Sequence, residues 1–184
     1  MRALALLACL LMAGCQATTF ETAPIAAEAC DSNLAGRWLS IGDSVDEDGE
    51  TELRIDADCQ LEVIEHENDG PRTGPATTVQ VGRHRGHRYA WVEAGWIRER
   101  FDAEFDAPAS DVHLLRYRID HDVLHVLGSD DKDLAHRIID NELRGEVHAA
   151  DNRLHVRLTG PAQPKLLDTP RLFAGDELRF RRAE

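Results

Sequence analysis

Nine histidines, four cysteines and 34 acidic residues are the groups in this 184-residue chain that could do chemistry. Their spacing argues against most of it. There is no Gly-x-Ser-x-Gly elbow and no His-Glu-x-x-His pair, and Gly82 and Gly86 match neither a P-loop nor Gly-x-Gly-x-x-Gly. His121 and His125 stand four residues apart. On a strand that is about 13 Å, too far to share a metal. His84 and His87 flank a turn, and His148 should face His155 across a hairpin with Cβ atoms roughly 5 Å apart. Two imidazoles do not make a catalytic zinc, and nothing obvious supplies a third ligand. Ser44 to Gly49 nearly matches a calcium loop, but Ser44 stands where Asp is needed and Ile55 where a bidentate Glu is needed. Asp43, Asp46, Glu47, Asp48 and Glu50 then read as a solvated acidic hairpin tip. Carboxylate pairs are too numerous for any one to be singled out as general acid and base. The expectation is a non-enzyme with no catalytic residue, no metal and no cofactor.

The N-terminal residues carry a sorting signal instead. Arg2 precedes an unbroken apolar run from Ala3 to Ala13. As a helix that run spans about 16 Å, well short of a hydrocarbon core of roughly 30 Å. It therefore reads as the h-region of a signal peptide, not a membrane anchor. It ends in Leu11-Met12-Ala13-Gly14-Cys15, which resembles the lipobox of bacterial lipoproteins, with Met12 where that family prefers leucine. The resemblance implies cleavage before Cys15 and three acyl chains on that residue. Two or more chains hold a protein firmly to a bilayer. Gln16 follows, where an Asp would favour the inner membrane in the enteric family, so the resemblance implies the periplasmic side of the outer membrane. Cys9 leaves with the signal. Cys30 and Cys59 remain, an even pair in an oxidising compartment, and read as one disulfide.

Composition is that of a folded domain: 42% hydrophobic and 30% charged. A net charge of −13 leaves no basic stripe to meet phosphate, which excludes nucleic acid as a partner. Aromatics at 5% argue against a carbohydrate-stacking platform. The chain divides into a signal peptide (1–14), a lipidated tether (15–33), read as flexible, and one domain (34–184).

Strands dominate that domain. Leu53 and Ile55 oppose Val63 and Leu61 in one hairpin. Residues 79–84 and 87–93 form another, with two alignments open. Tyr117 and Ile119 oppose Val126 and Leu124 about a turn at His121-Asp122. Val147 and Ala149 oppose Val156 and Leu154 about Asp151-Asn152, with His148 and His155 on the other face. Leu178 and Phe180 suggest a last strand. Ser129 can cap a helix containing Leu134 and Ile138. Residues 96–105 are either a helical turn or an irregular strand, and Pro161 to Leu172 is a covering segment. The expected fold is mainly β: an antiparallel meander of about eight strands with one or two short helices, forming a barrel or strongly curved sheet. Gly36-Arg37-Trp38 resembles the Gly-x-Trp of the first lipocalin strand, where the tryptophan closes the barrel floor. The order of elements also resembles small proteobacterial lipoproteins of unknown function. These resemblances imply a membrane-anchored binder of a small apolar ligand or an envelope protein. The ligand would sit in the interior, towards which Val147, Ala149, Leu154, Val156 and Leu158 are expected to point. Two alternatives stand beside this: an envelope or inhibitor-type protein with a filled barrel, and a metal-binding or hydrolytic protein using surface histidines.

Overall fold

A computed structural model describes residues 16–41, 50–67, 70–150 and 153–183. The acidic tip at 42–49, the turn at 151–152 and Cys15 lie outside the described residues. The protein is mainly β. The first strands are β1 (Gln16–Phe20), β2 (Gly36–Ser40), β3 (Glu50–Ile55), β4 (Gln60–Glu67), β5 (Gly70–Thr73) and β6 (Thr77–Thr78). After them come β7 (Gln80–His84), β8 (His87–Glu93), β9 (Val112–Asp120) and β10 (Val123–Leu127). The last three are β11 (Gly145–Ala150), β12 (Arg153–Leu158) and β13 (Glu177–Arg182). Two short helices, α1 (Ala94–Phe101) and α2 (Asp131–Ile139), interrupt them, and Pro164–Asp168 forms a 3-10 turn.

Among the described residues all thirteen strands belong to one sheet, which is mixed and does not close on itself. About eight antiparallel strands were expected. The extra ones come from short pieces such as β5 and β6 and from β1, which pairs in parallel with β12. The expected flexible tether is corrected here. Gln16–Phe20 is a strand, with Ala17, Thr18, Thr19 and Phe20 all buried. Thr and Phe suit a pleated, half-buried surface, and that propensity wins once partner strands exist.

The hairpin registers follow the alternation of apolar residues. Ile55 lies opposite Leu61, Tyr117 opposite Val126, and Val147 opposite Val156. The open alignment of β7 with β8 resolves as Val81 opposite Ala90. The segment 77–84 reaches β4 through β6 and, one residue later, β8 through β7. The sheet therefore wraps round a core that includes Trp38, Val63, Val92, Tyr117, Leu124 and Phe180.

A second core lies on the outer side of β8 and β9. Tyr89, Trp91 and Leu114 meet Phe20, Val156, Leu158, Leu134 and Phe173 there. This corrects the expected orientation of the β11–β12 hairpin, whose apolar face packs beneath α2 in the second core rather than lining the interior. Gly145 permits that approach, because a Cβ there would come within 2.6 Å of Ile138 on α2. Asp130, not Ser129, caps α2 by accepting a bond from the Asp133 N–H at 3.0 Å.

Candidate functional site

Inside the wrapped part of the sheet is a cavity of about 120 Å³, and only apolar atoms face it. Strands β3, β4, β8, β9, β10 and β13 supply Leu53, Val63, Ala90, Leu115, Leu124 and Leu178. Their inward direction follows from the two-residue period of a strand. At one end α1 contributes Trp96, Ile97 and Phe101. This helix occupies the stretch left undecided between helical turn and strand. Its position is held by the Trp96 indole N–H, which donates to the Pro75 carbonyl at 2.8 Å. Arg100, 6% exposed, donates to the Val63 carbonyl at 3.1 Å and to Glu65 at 3.2 Å. Its guanidinium lies 5.1 Å from the Phe101 ring centre. A Cβ at Gly74 would collide with the Arg100 side chain, so that loop can come this close only as glycine.

At the opposite end Leu34 lines the cavity, and Trp38, fully buried in the same core, donates its indole N–H to the Leu34 carbonyl at 2.8 Å. Arg182 covers the Trp38 ring at 4.1 Å and donates to the carbonyls of Ala35 and Asn33 at 2.8 and 2.7 Å. Residues 30–34 lie beneath the same end. Cys30 is disulfide-bonded to Cys59, with Cα atoms 5.5 Å apart. Asp31 accepts from the Tyr117 hydroxyl and pairs with Arg88, both at 3.0 Å. Burial works against the Asp31 carboxylate. The Asn33 N–H, the Tyr117 hydroxyl, the Asn33 amide and Arg88 outweigh it and hold its pKa below the ordinary value. Burial, then the bond to Asp31, pushes the Tyr117 hydroxyl well above its usual range. The Tyr117 hydroxyl is thus turned to a partner, away from the apolar cavity surface.

The histidines do not converge on a metal. His148 and His155 do face each other, with rings stacked 5.8 Å apart at 16°. His155 is buried, however, not exposed as expected. Its Nε2 lies 3.0 Å from the Thr19 hydroxyl, and its ring packs 5.3 Å from Phe105. Burial, and then the neighbouring His148, lowers its pKa to about 4, so the ring is neutral near pH 7. His84 pairs with Asp168 at 2.9 Å, and His125 with Glu177 at 3.1 Å. Among the described residues no three His, Cys, Asp or Glu side chains are gathered to hold a metal ion.

A second cleft, about 380 Å³, lies outside the interior between Phe20, Leu143, Leu158 and Leu166, and mixes polar with apolar lining. Among the described residues no helix is long and apolar enough to cross a membrane. Sequence reasoning missed Asp31, Arg88 and Arg182, whose partners lie far away in the chain. No local pattern distinguishes them in a sequence so rich in arginine. No protein-family model, curated protein or solved structure matches this chain.

Proposed function

We propose that this protein is a lipoprotein of the outer membrane, anchored through Cys15 on the periplasmic side, that binds a small apolar ligand and does no chemistry on it. The interior is read as a lipocalin-like barrel. Supporting that reading, 77–84 bridges β4 to β8, and Trp38 of Gly36-Arg37-Trp38 is fully buried in the interior core and bonded to the carbonyl of Leu34, which lines the cavity. The observation that carries the function is the apolar cavity. A dry apolar cavity of about 150 Å³ accepts a benzene-sized ring, whereas pockets for drug-sized ligands run to about 300 Å³ or more. At about 120 Å³ the cavity suits one small ring or a short alkyl segment. Nothing in its lining would reward a polar group on the ligand.

The test is titration of the purified protein with benzene and short alkanes, followed by NMR shifts of the Trp96 and Phe101 rings. Saturable shifts are expected, and Ala90→Val, which places methyls in the cavity, should abolish them while the fold persists. Shifts that do not saturate, or that survive in the filled variant, would favour the filled-interior alternative, in which the surface meets an envelope partner.

A further inference from the structure

We propose that one end of the sheet, formed by the start of β1 and the adjoining end of the β11–β12 hairpin, rests directly on the lipid surface and fixes the domain's orientation there. The proposal rests on the reading of Cys15 as the lipidated residue and adds to it where the bilayer must lie.

Chain length carries the argument. Gln16 begins β1 and is joined to Cys15 by a single peptide bond. Consecutive Cα atoms are about 3.8 Å apart, so acyl chains on Cys15 would enter the bilayer one residue from the sheet. Gln16 pairs with Leu154, which brings Arg153 and its strand partner Ala150 to the same end. Both are exposed, and Arg153 is ion-paired with Glu104 from the loop after α1. The strand cannot peel away to make its own tether. Ala17, Thr18, Thr19 and Phe20 are 4%, 1%, 0% and 1% exposed. The Thr18 hydroxyl donates to Asp131 on α2, and the Thr18 carbonyl lies 3.0 Å from Nδ1 of His113 on β9. Thr19 is bonded to His155 on β12. Three separate elements therefore hold the strand that carries the anchor. The far end of β12, at Leu158, lies about 17 Å along the strand from Arg153. Ala162, exposed, lies beyond it.

The experiment uses the lipidated protein, extracted from membranes and reconstituted into phosphatidylcholine vesicles carrying nitroxide-labelled headgroups. Ala150→Cys and Ala162→Cys variants each carry one fluorophore, with the Cys30–Cys59 disulfide left oxidised. Quenching at position 150 is expected to exceed that at 162 several-fold. Inserting about twelve Gly and Ser residues between Cys15 and Gln16, a flexible coil, should bring both to the same weak level while the protein still floats with vesicles. Equal quenching in the uninserted protein, with flotation intact, overturns the docking and leaves the anchor standing. Loss of flotation in the parent protein overturns the anchor, and the docking with it.

Discussion

Glu52 is 1% exposed, yet it is a carboxylate on a strand. It is tolerated because β2, β3 and β4 run side by side and bring two guanidinium groups and an imidazole to it. Arg37 donates at 2.7 and 3.3 Å, Arg54 at 2.7 Å, and the His66 ring lies 3.2 Å away. The bond from Arg37 dominates. Burial opposes it, and Arg54 and His66 then add to it, so that the carboxyl is held at about 2 rather than 4.5. Because the folded pKa is the lower one, the group stabilises the fold fully above about pH 4.5. That contribution is lost as pH falls through about 2. Arg37 and Arg54 are half exposed, so solvent screening must be discounted from the full shift. Glu52→Gln should therefore cost about 1–2 kcal/mol at pH 7. Urea unfolding of parent and variant across pH 2–7 should show the two curves merging towards the acid end. A constant gap would mean the carboxylate charge is not what the arginines recognise.

At the scale of elements, the disulfide joins the segment beneath Trp38 to the β3–β4 turn, across a separation of 29 residues. A loop of that length is worth roughly 3.5 kcal/mol in the chain-entropy picture. Cys30→Ser with Cys59→Ser should lower stability by about that much, read from denaturant midpoints with the slope unchanged. A change below about 1 kcal/mol would mean Arg182, Asp31 and Trp38 hold this end without the crosslink. The pairing of both cysteines was legible in the sequence from parity together with the compartment the signal implies, and so were the hairpins with one wet face. Where Ile55 must sit over Leu61, a slip of one residue would turn every apolar side chain to water. The alignment of β7 with β8 was not legible, and the reason is physical. Ala90 and Val92 face the interior while Tyr89 and Trp91 face the second core, so neither face is polar and alternation carries no register. Strand β1 was missed because its partners, Val112 and Leu154 to Leu158, lie some ninety or more residues away. Five residues with two threonines look polar until those neighbours are present. The cavity was beyond reach for a related reason. It is the volume left over by side chains from six strands and a helix, a difference that no single segment encodes.

At the scale of the molecule, the described residues form two cores that share one wall. Strands β8 and β9 present Ala90, Val92 and Tyr117 to the interior and Tyr89, Trp91 and Leu114 to the outer core. A strand cannot unfold on one face only, so damage to either core should be felt in both. Phe173 tests this, because it is 5% exposed, packs 5.4 Å from Tyr89, and belongs to the outer core cluster rather than the interior one. Truncating a buried phenylalanine costs about 3–5 kcal/mol. In Phe173→Ala that loss should appear in hydrogen exchange of amides in β2 and β3, whose buried apolar residues belong to the interior core, as well as in β12. Global unfolding transmits a destabilisation to every amide that exchanges through it. If the β2 and β3 amides keep their parent protection while β12 loses its own, the two cores melt separately. The wrapped part that encloses the cavity would then stay folded while the layer that contains β1 opens. The measurement thus also decides whether the cavity and β1 behave as one rigid unit.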